Sequence, residues 1–151
     1  MKHSIMKLLY RLAHRTQRLY WAIWRPITLG VNVLIVQEGE VLLVRPSYKN
    51  GWSLPGGGLK RNETLAQAAR REVREEVGFV LHELRFVTIL SNLEAAKSDH
   101  VALYISETFT PPAGHHHSYE IDDYRFFPIN ALPPSVNGGT RYVIETHLRK
   151  T

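Results

Sequence analysis

The sequence predicts one α/β domain with a basic amphipathic helix in front of it, and three observations lead to that class. A chain of 151 residues that is 44% hydrophobic and 10% aromatic has room for one real core and is too short for two ordinary domains. Runs rich in β-branched residues recur, separated by turn residues. Two segments, opening at Thr64 and at Gly138, carry helix start signals instead.

The arm, residues 1–26, comes first. Ile5, Leu8, Leu9, Leu12, Leu19, Tyr20 and Ile23 recur mostly at helical spacing, with Lys7, Arg11, Arg15 and Arg18 elsewhere around the wheel, and Pro26 ends the pattern. No run approaches the roughly 20 apolar residues of a membrane span, and charges interrupt every candidate core of a secretory signal. Three roles stay open: packing on its own domain or on a second subunit as a homodimer, peripheral contact of residues 1–25 with an anionic membrane, or a cleaved transit peptide. Trp21 and Trp24 are interface anchors in one reading and core filling in another.

Residues 27–151 form the domain. "TLGVNVLIVQ" and "GEVLLVRP", joined through "EGE", read as a β-hairpin. "SYKNGWSLPGGG" reads as a loop, "VLHELRFVTILSNLE" and "HVALYISETF" as two strands, "PPAGHHHSYEIDD" as a connection, "YRFFPI" as a last strand, and "GGTRYVIETHLRK" as a C-terminal helix. Six of the 19 basic residues lie in residues 1–36, where there is no acid, which leaves 13 against 14 acidic residues. Such a domain lacks the basic footprint of a nucleic-acid module. With no cysteine there is no disulfide framework, thiolate metal site or cysteine nucleophile, which suits a cytoplasmic protein.

The helix after the glycines can be placed closely. Thr64 and Gln67 make a capping box, so the helix runs from Thr64 to Val77 with Gly78 as its stop. Leu65, Ala68 and Ala69 mark one face, and at 100° per residue that face continues into Glu72, Glu75 and Glu76, with Val73 and Val77 to one side and Arg70 and Arg74 on the solvent side. Carboxylates at these spacings repel, and half-burying them costs hydration. A hard divalent cation such as Mg²⁺, bound with substrate phosphates, would offset that cost. A solvated acidic face paired with Lys or Arg is the alternative.

Gly57, Glu63, Arg71, Glu72, Val73, Glu75, Glu76, Gly78 and Phe79 fill, at fixed spacing, the signature that this chain shares with Nudix hydrolases; only Phe79 departs, being aromatic where an aliphatic residue is more usual. The sequence thus resembles the Nudix family. The resemblance implies an α/β/α sandwich with a mixed β-sheet and Mg²⁺-dependent (or Mn²⁺-dependent) hydrolysis of a phosphoanhydride in a nucleoside diphosphate linked to another group. It implies that Glu72, Glu75 and Glu76 are metal ligands, that Glu75 or Glu76 helps activate water, that Arg71 paired with Glu63 holds those glutamates, and that the Gly56 carbonyl joins the metal shell. Gly56, Gly57 and Gly58 let backbone approach phosphate and metal without a Cβ in the way.

Outside the signature, Glu120 is a candidate further ligand or base, with Asp122 and Asp123 as weaker ones. Arg45, at a strand end, is a candidate for substrate phosphate or base. Trp52 and Tyr48 could stack on a base or pack beneath the glycine loop. His115, His116 and His117 cannot all face one metal from a regular backbone and read as loop. The region "LSNLEAAKSDH" lacks the proline and the tyrosine that mark some substrate groups of the family, so ADP-ribose-like compounds, nucleoside triphosphates, nucleotide sugars and capped RNA ends stay open, with long RNA least favoured. The rival readings are a catalytically silent nucleotide-binding module and a cargo domain tethered by the arm.

Overall fold

Alternating apolar side chains along the first strands dictate a sheet covered on both faces. The computed structural model describes residues 27–92, 98–114, 116 and 118–148; the amphipathic arm, with Trp21 and Trp24, and His115 and His117 lie outside them. In β1 (Ile27–Gln37) and β2 (Glu40–Pro46), Val31, Val33, Ile35, Leu42 and Val44 enter one buried cluster, while Leu34, Val41 and Leu43 enter another. Successive strand residues point to opposite faces, so each strand feeds two cores. The two-residue turn between them has positive φ at both Glu38 (51°) and Gly39 (80°), the twist that matches an antiparallel hairpin.

The remaining elements are β3 (Gly56–Gly58), α1 (Leu65–Val77), β4 (Val80–Leu81), β5 (Arg85–Asn92), β6 (Ser98–Ser106), β7 (Phe109–Thr110), β8 (Ile121–Pro128) and α2 (Gly138–Leu148). The main sheet has the order β5-β6-β1-β2-β8, with β3 also on β1. β1 pairs parallel with β6 from Ile27↔Ser98 to Ile35↔Ser106, and antiparallel with β2 and β3, so the sheet is mixed. α1 covers one face through Ala68, Ala69, Val73 and Val77. α2 covers the other through Val143 and Ile144, which meet Trp52, Leu103 and Ile105. This is the α/β/α sandwich expected from the sequence.

Three details differ from the sequence reading. The glycines expected as loop form β3, because Gly58, Gly57 and Gly56 pair with Gly30, Val31 and Asn32. The segments expected as two single strands each break in two, since β4 and β7 pair with each other in a separate small sheet. Buried Ser106 ties that corner, donating to the carbonyls of Glu83 (2.7 Å) and Thr108 (3.3 Å). The cap of α2 is Asn137, whose Oδ1 accepts the Thr140 amide at 2.8 Å.

Ile144 is fully buried on the α2 face, across the sheet from α1. Ile144→Ala is expected to cost about 2–5 kcal/mol of unfolding free energy, read by urea titration, through lost burial and the cavity left behind.

Candidate active site

The phase of α1 determines which carboxylates turn inward. Thr64 Oγ1 accepts the Gln67 amide (3.2 Å) and Gln67 Oε1 accepts the Thr64 amide (2.8 Å), while Gly78 closes the helix with φ 75° and its amide on the Arg74 carbonyl (3.1 Å). Start and stop fall where the sequence put them. Arg70 and Arg74 face solvent. The inward turn of the glutamates is graded: Glu76 is 7% exposed, and the side chains of Glu72 and Glu75 are 12% and 53% exposed.

Arg71 gathers the acids. Its Nε and Nη2 donate to the two oxygens of Glu63 (2.7 and 2.9 Å), Nη1 donates to Glu72 (2.7 Å) and Glu75 (3.1 Å), and Nη2 also reaches the Gly58 carbonyl (3.0 Å). A planar guanidinium with five N–H donors suits this role as a lysine would not. The hydrogen bonds from Arg71, helped by the Lys60 amide, hold the Glu63 carboxyl down at about 2, and Glu63 in turn pushes the Arg71 guanidinium up.

The glycines of β3 complete the site. The Gly56 amide donates to Glu76 Oε2 at 2.9 Å. A Cβ on Gly57 would stand 2.5 Å from the Glu72 carboxyl carbon, so a side chain there would push that carboxylate out of its place. Burial pushes the Glu76 carboxyl up to about 8, with neighbouring Glu72 and Glu75 adding to the rise and the Gly56 amide and Lys49 opposing it.

These groups line one cleft of about 950 Å³ that Tyr48, Lys49, Gly56, Gly57, Gly58 and Glu120 share with Arg71, Glu72, Glu75 and Glu76. Burial raises the Glu120 carboxyl, and burial with the charges of Glu76 and Glu72 raises the Tyr48 hydroxyl. Lys49 was missed in the sequence, where a lysine in a loop carries no signal; burial lowers its ammonium while Glu76 opposes that shift. Arg45, Trp52, Asp122 and Asp123 do not line the cleft. Arg45 lies 3.9 Å from Asp123 and over the Trp52 ring, and Trp52 itself is 7% exposed, packed edge-on against Phe127 in the α2-side core. Asp123 is held by Arg125 at 2.8 Å.

The donor set is one of hard oxygens, which fits a divalent cation of the Mg²⁺ type. Among the described residues no three acidic or histidine side chains close on a single point: Glu72 and Glu75 are turned to Arg71 Nη1, and Glu76 to the Gly56 amide. Mg²⁺ usually keeps several waters and takes only a few carboxylates, so a finished cage is not required. The residues that could hold it are Glu72, Glu75 and Glu76, with the Gly56 carbonyl.

Comparison with known proteins agrees with this geometry. The profile of the NUDIX domain matches residues 26–146. An RNA pyrophosphohydrolase of Marinomonas sp. (strain MWYL1) is 36% identical over 64 residues, covering 42% of this chain and 38% of that protein. A Bacillus subtilis (strain 168) protein provisionally named ADP-ribose pyrophosphatase YjhB is 27% identical over 108 residues, covering 69% of this chain and 51% of that protein. The chain thus matches about half or less of the length of these relatives. In structure, a MutT NUDIX hydrolase from Burkholderia pseudomallei superposes with a TM-score of 0.73 at 23% identity, over 81% of this chain and 98% of that one.

The Glu76 value bears on stability. Its folded pKa, about 8, lies above the ordinary 4.5, so the group favours the fold below about 4.5, and that contribution is lost as pH rises through about 8. Without metal, Glu76→Gln is therefore expected to melt more than about 4 °C above wild type near pH 9 and level with it near pH 4, measured by thermal melts in chelator.

Proposed function

We propose, on the premise that this chain belongs to the Nudix family, that it is a divalent-metal-dependent hydrolase of a phosphoanhydride in a nucleoside diphosphate linked to another group. The single observation that carries the reading is the clamp of Arg71 on Glu63, Glu72, Glu75 and the Gly58 carbonyl beside buried Glu76. A silent binding module has no physical need to keep so many acids together.

In this reading Glu72, Glu75 and Glu76, with the Gly56 carbonyl, would hold the ion, Mg²⁺ by preference with Mn²⁺ as a substitute. When bound, such an ion neutralises phosphate oxygens and lowers the pKa of a bound water. The chain's own residues do the rest. Arg71 fixes the carboxylates in place, and Glu63 holds Arg71. Gly57 leaves room for the Glu72 carboxylate, and open space beside Gly58 lets phosphate approach the backbone. Glu76 or Glu120, both with raised affinity for a proton, accepts the proton of the attacking water. No covalent intermediate is needed, because catalysis of phosphoryl transfer rests on positioning and charge.

The other end of the substrate has an apolar neighbour. Ile27 and Leu29 line the cleft, and Phe86 and Ile89 stand exposed on the same face of the sheet, since they pair with Tyr104 and Ala102 of the α1-side core. A nucleoside base suits such a strip, whereas 13 basic against 14 acidic residues beyond residue 36 give the domain no net positive charge to favour long RNA. ADP-ribose-like compounds, nucleotide sugars and nucleoside triphosphates share the required chemistry.

The test is turnover of those compounds, 5′-triphosphate RNA and inorganic tripolyphosphate with Mg²⁺ or Mn²⁺. Metal-dependent release from a small nucleotide, with Glu76→Gln lowering kcat by about 10²-fold or more, is the expected result. Turnover of RNA alone would move the substrate class, and none at all with nucleotide still bound would favour the silent module.

A further inference from the structure

The three consecutive histidines have no part in the site so far, and His116 is the one among the described residues. Its Nε2 lies 2.9 Å from the backbone carbonyl of Glu75. A carbonyl only accepts, so Nε2 carries the proton and donates. That carbonyl sits in the last turn of α1, which stops at Val77, and the final carbonyls of a helix have no amide of their own helix to accept. Gly78 sends its amide to the Arg74 carbonyl instead. The same ring lies on Gly78, where a Cβ would stand 2.8 Å from Nδ1. A residue 41 positions downstream of Glu75 therefore caps the end of the catalytic helix.

Four residues past His116 comes Glu120, in the cleft. That segment has a second tie: the Ser47 amide donates to the Glu120 carbonyl (2.8 Å), and Ser47 Oγ donates to the Tyr119 carbonyl (3.2 Å). Ser118 Oγ accepts the Glu120 amide at 3.2 Å. Glu120 is thus strung between the end of β2 and the end of α1, and no hydrogen bond of its own side chain holds it among the described residues.

We propose that His116 is a positioning residue: it clamps the segment carrying Glu120 onto the C-terminal end of α1 and so sets the Glu120 carboxylate against the Glu72, Glu75 and Glu76 face. The inference rests on the cleft being the hydrolytic site. Without the clamp Glu120 keeps its tie to Ser47 and its junction with β8 at Ile121, which pairs with Pro46, but the stretch before it loses its hold on α1, and a misplacement of about 1 Å can cost about 10²-fold in rate. It also gives Gly78 a second reason to be glycine, beyond its left-handed φ.

The test uses the full chain with His116→Ala, His116→Gln, whose amide can still donate, and His116→Phe, which keeps the packing on Gly78 but not the donor and serves if the alanine variant does not fold. Expected are a loss in kcat of about 10- to 100-fold for Ala and Phe with KM within about twofold, and recovery of most of it by Gln. Added to Glu120→Gln, His116→Ala should cost nothing more, and amide hydrogen exchange at Tyr119 and Glu120 should accelerate in His116→Ala. The same loss with and without the Glu120 carboxylate, or unchanged exchange, overturns the proposal. Exchange needs no substrate, so should wild type turn over nothing, the hydrolytic reading fails while exchange still judges the clamp.

Discussion

The Arg71 guanidinium is the interaction on which the rest depends. It ties an acid before the helix, two acids on the helix and a carbonyl of the glycine strand into one unit, so that a single side chain links loop, helix and glycine strand at the site. Placing one cation among several carboxylates also settles an electrostatic problem. Glu72 and Glu75 are three residues apart on one helix face, and both would repel their neighbours if the guanidinium did not stand between them and Glu63.

Glu76 is the acid that Arg71 does not reach. It lies deepest, bonded to the Gly56 amide, and its carboxyl is held near 8 by burial. Arg71 and Glu63 form a closed pair with both charges satisfied, whereas Glu76 is a buried acid whose ionised form is costly until positive charge arrives. Groups with environments that push their proton affinities apart are a common arrangement in sites that handle protons. The sheet supplies the rigid floor: β3 hydrogen-bonds to the first half of β1, and the glycines leave that floor bare of side chains where Glu72 and Glu76 come down on it.

Much of this was legible because it is local. The capping box at Thr64 and Gln67 and the stop at Gly78 fix the phase of α1, and phase alone places Glu72, Glu75 and Glu76 on one side. The hairpin was legible for the same reason, two runs rich in β-branched residues joined through the short "EGE". What was not legible depended on pairing between distant segments. Arg45 and Trp52 looked like site residues while the partner of β2 was unknown; with β8 beside it, Arg45 stands opposite Asp123, and Trp52 turns into the α2-side core. The split of β4 from β5 follows from β7, and the cap at His116 from a contact 41 residues long, neither of which leaves a periodic trace.

The account stands on α1 presenting its carboxylates to a divalent cation that keeps water in its shell. Titration of the chain with Mn²⁺, followed by the relaxation of water protons, reads both properties at once. A saturable Mn²⁺ site with enhanced relaxation in wild type, lost in the Glu72→Gln, Glu76→Gln double variant while the fold is retained, is the predicted result. Equal binding in that variant, or no binding by the wild type, would contradict it.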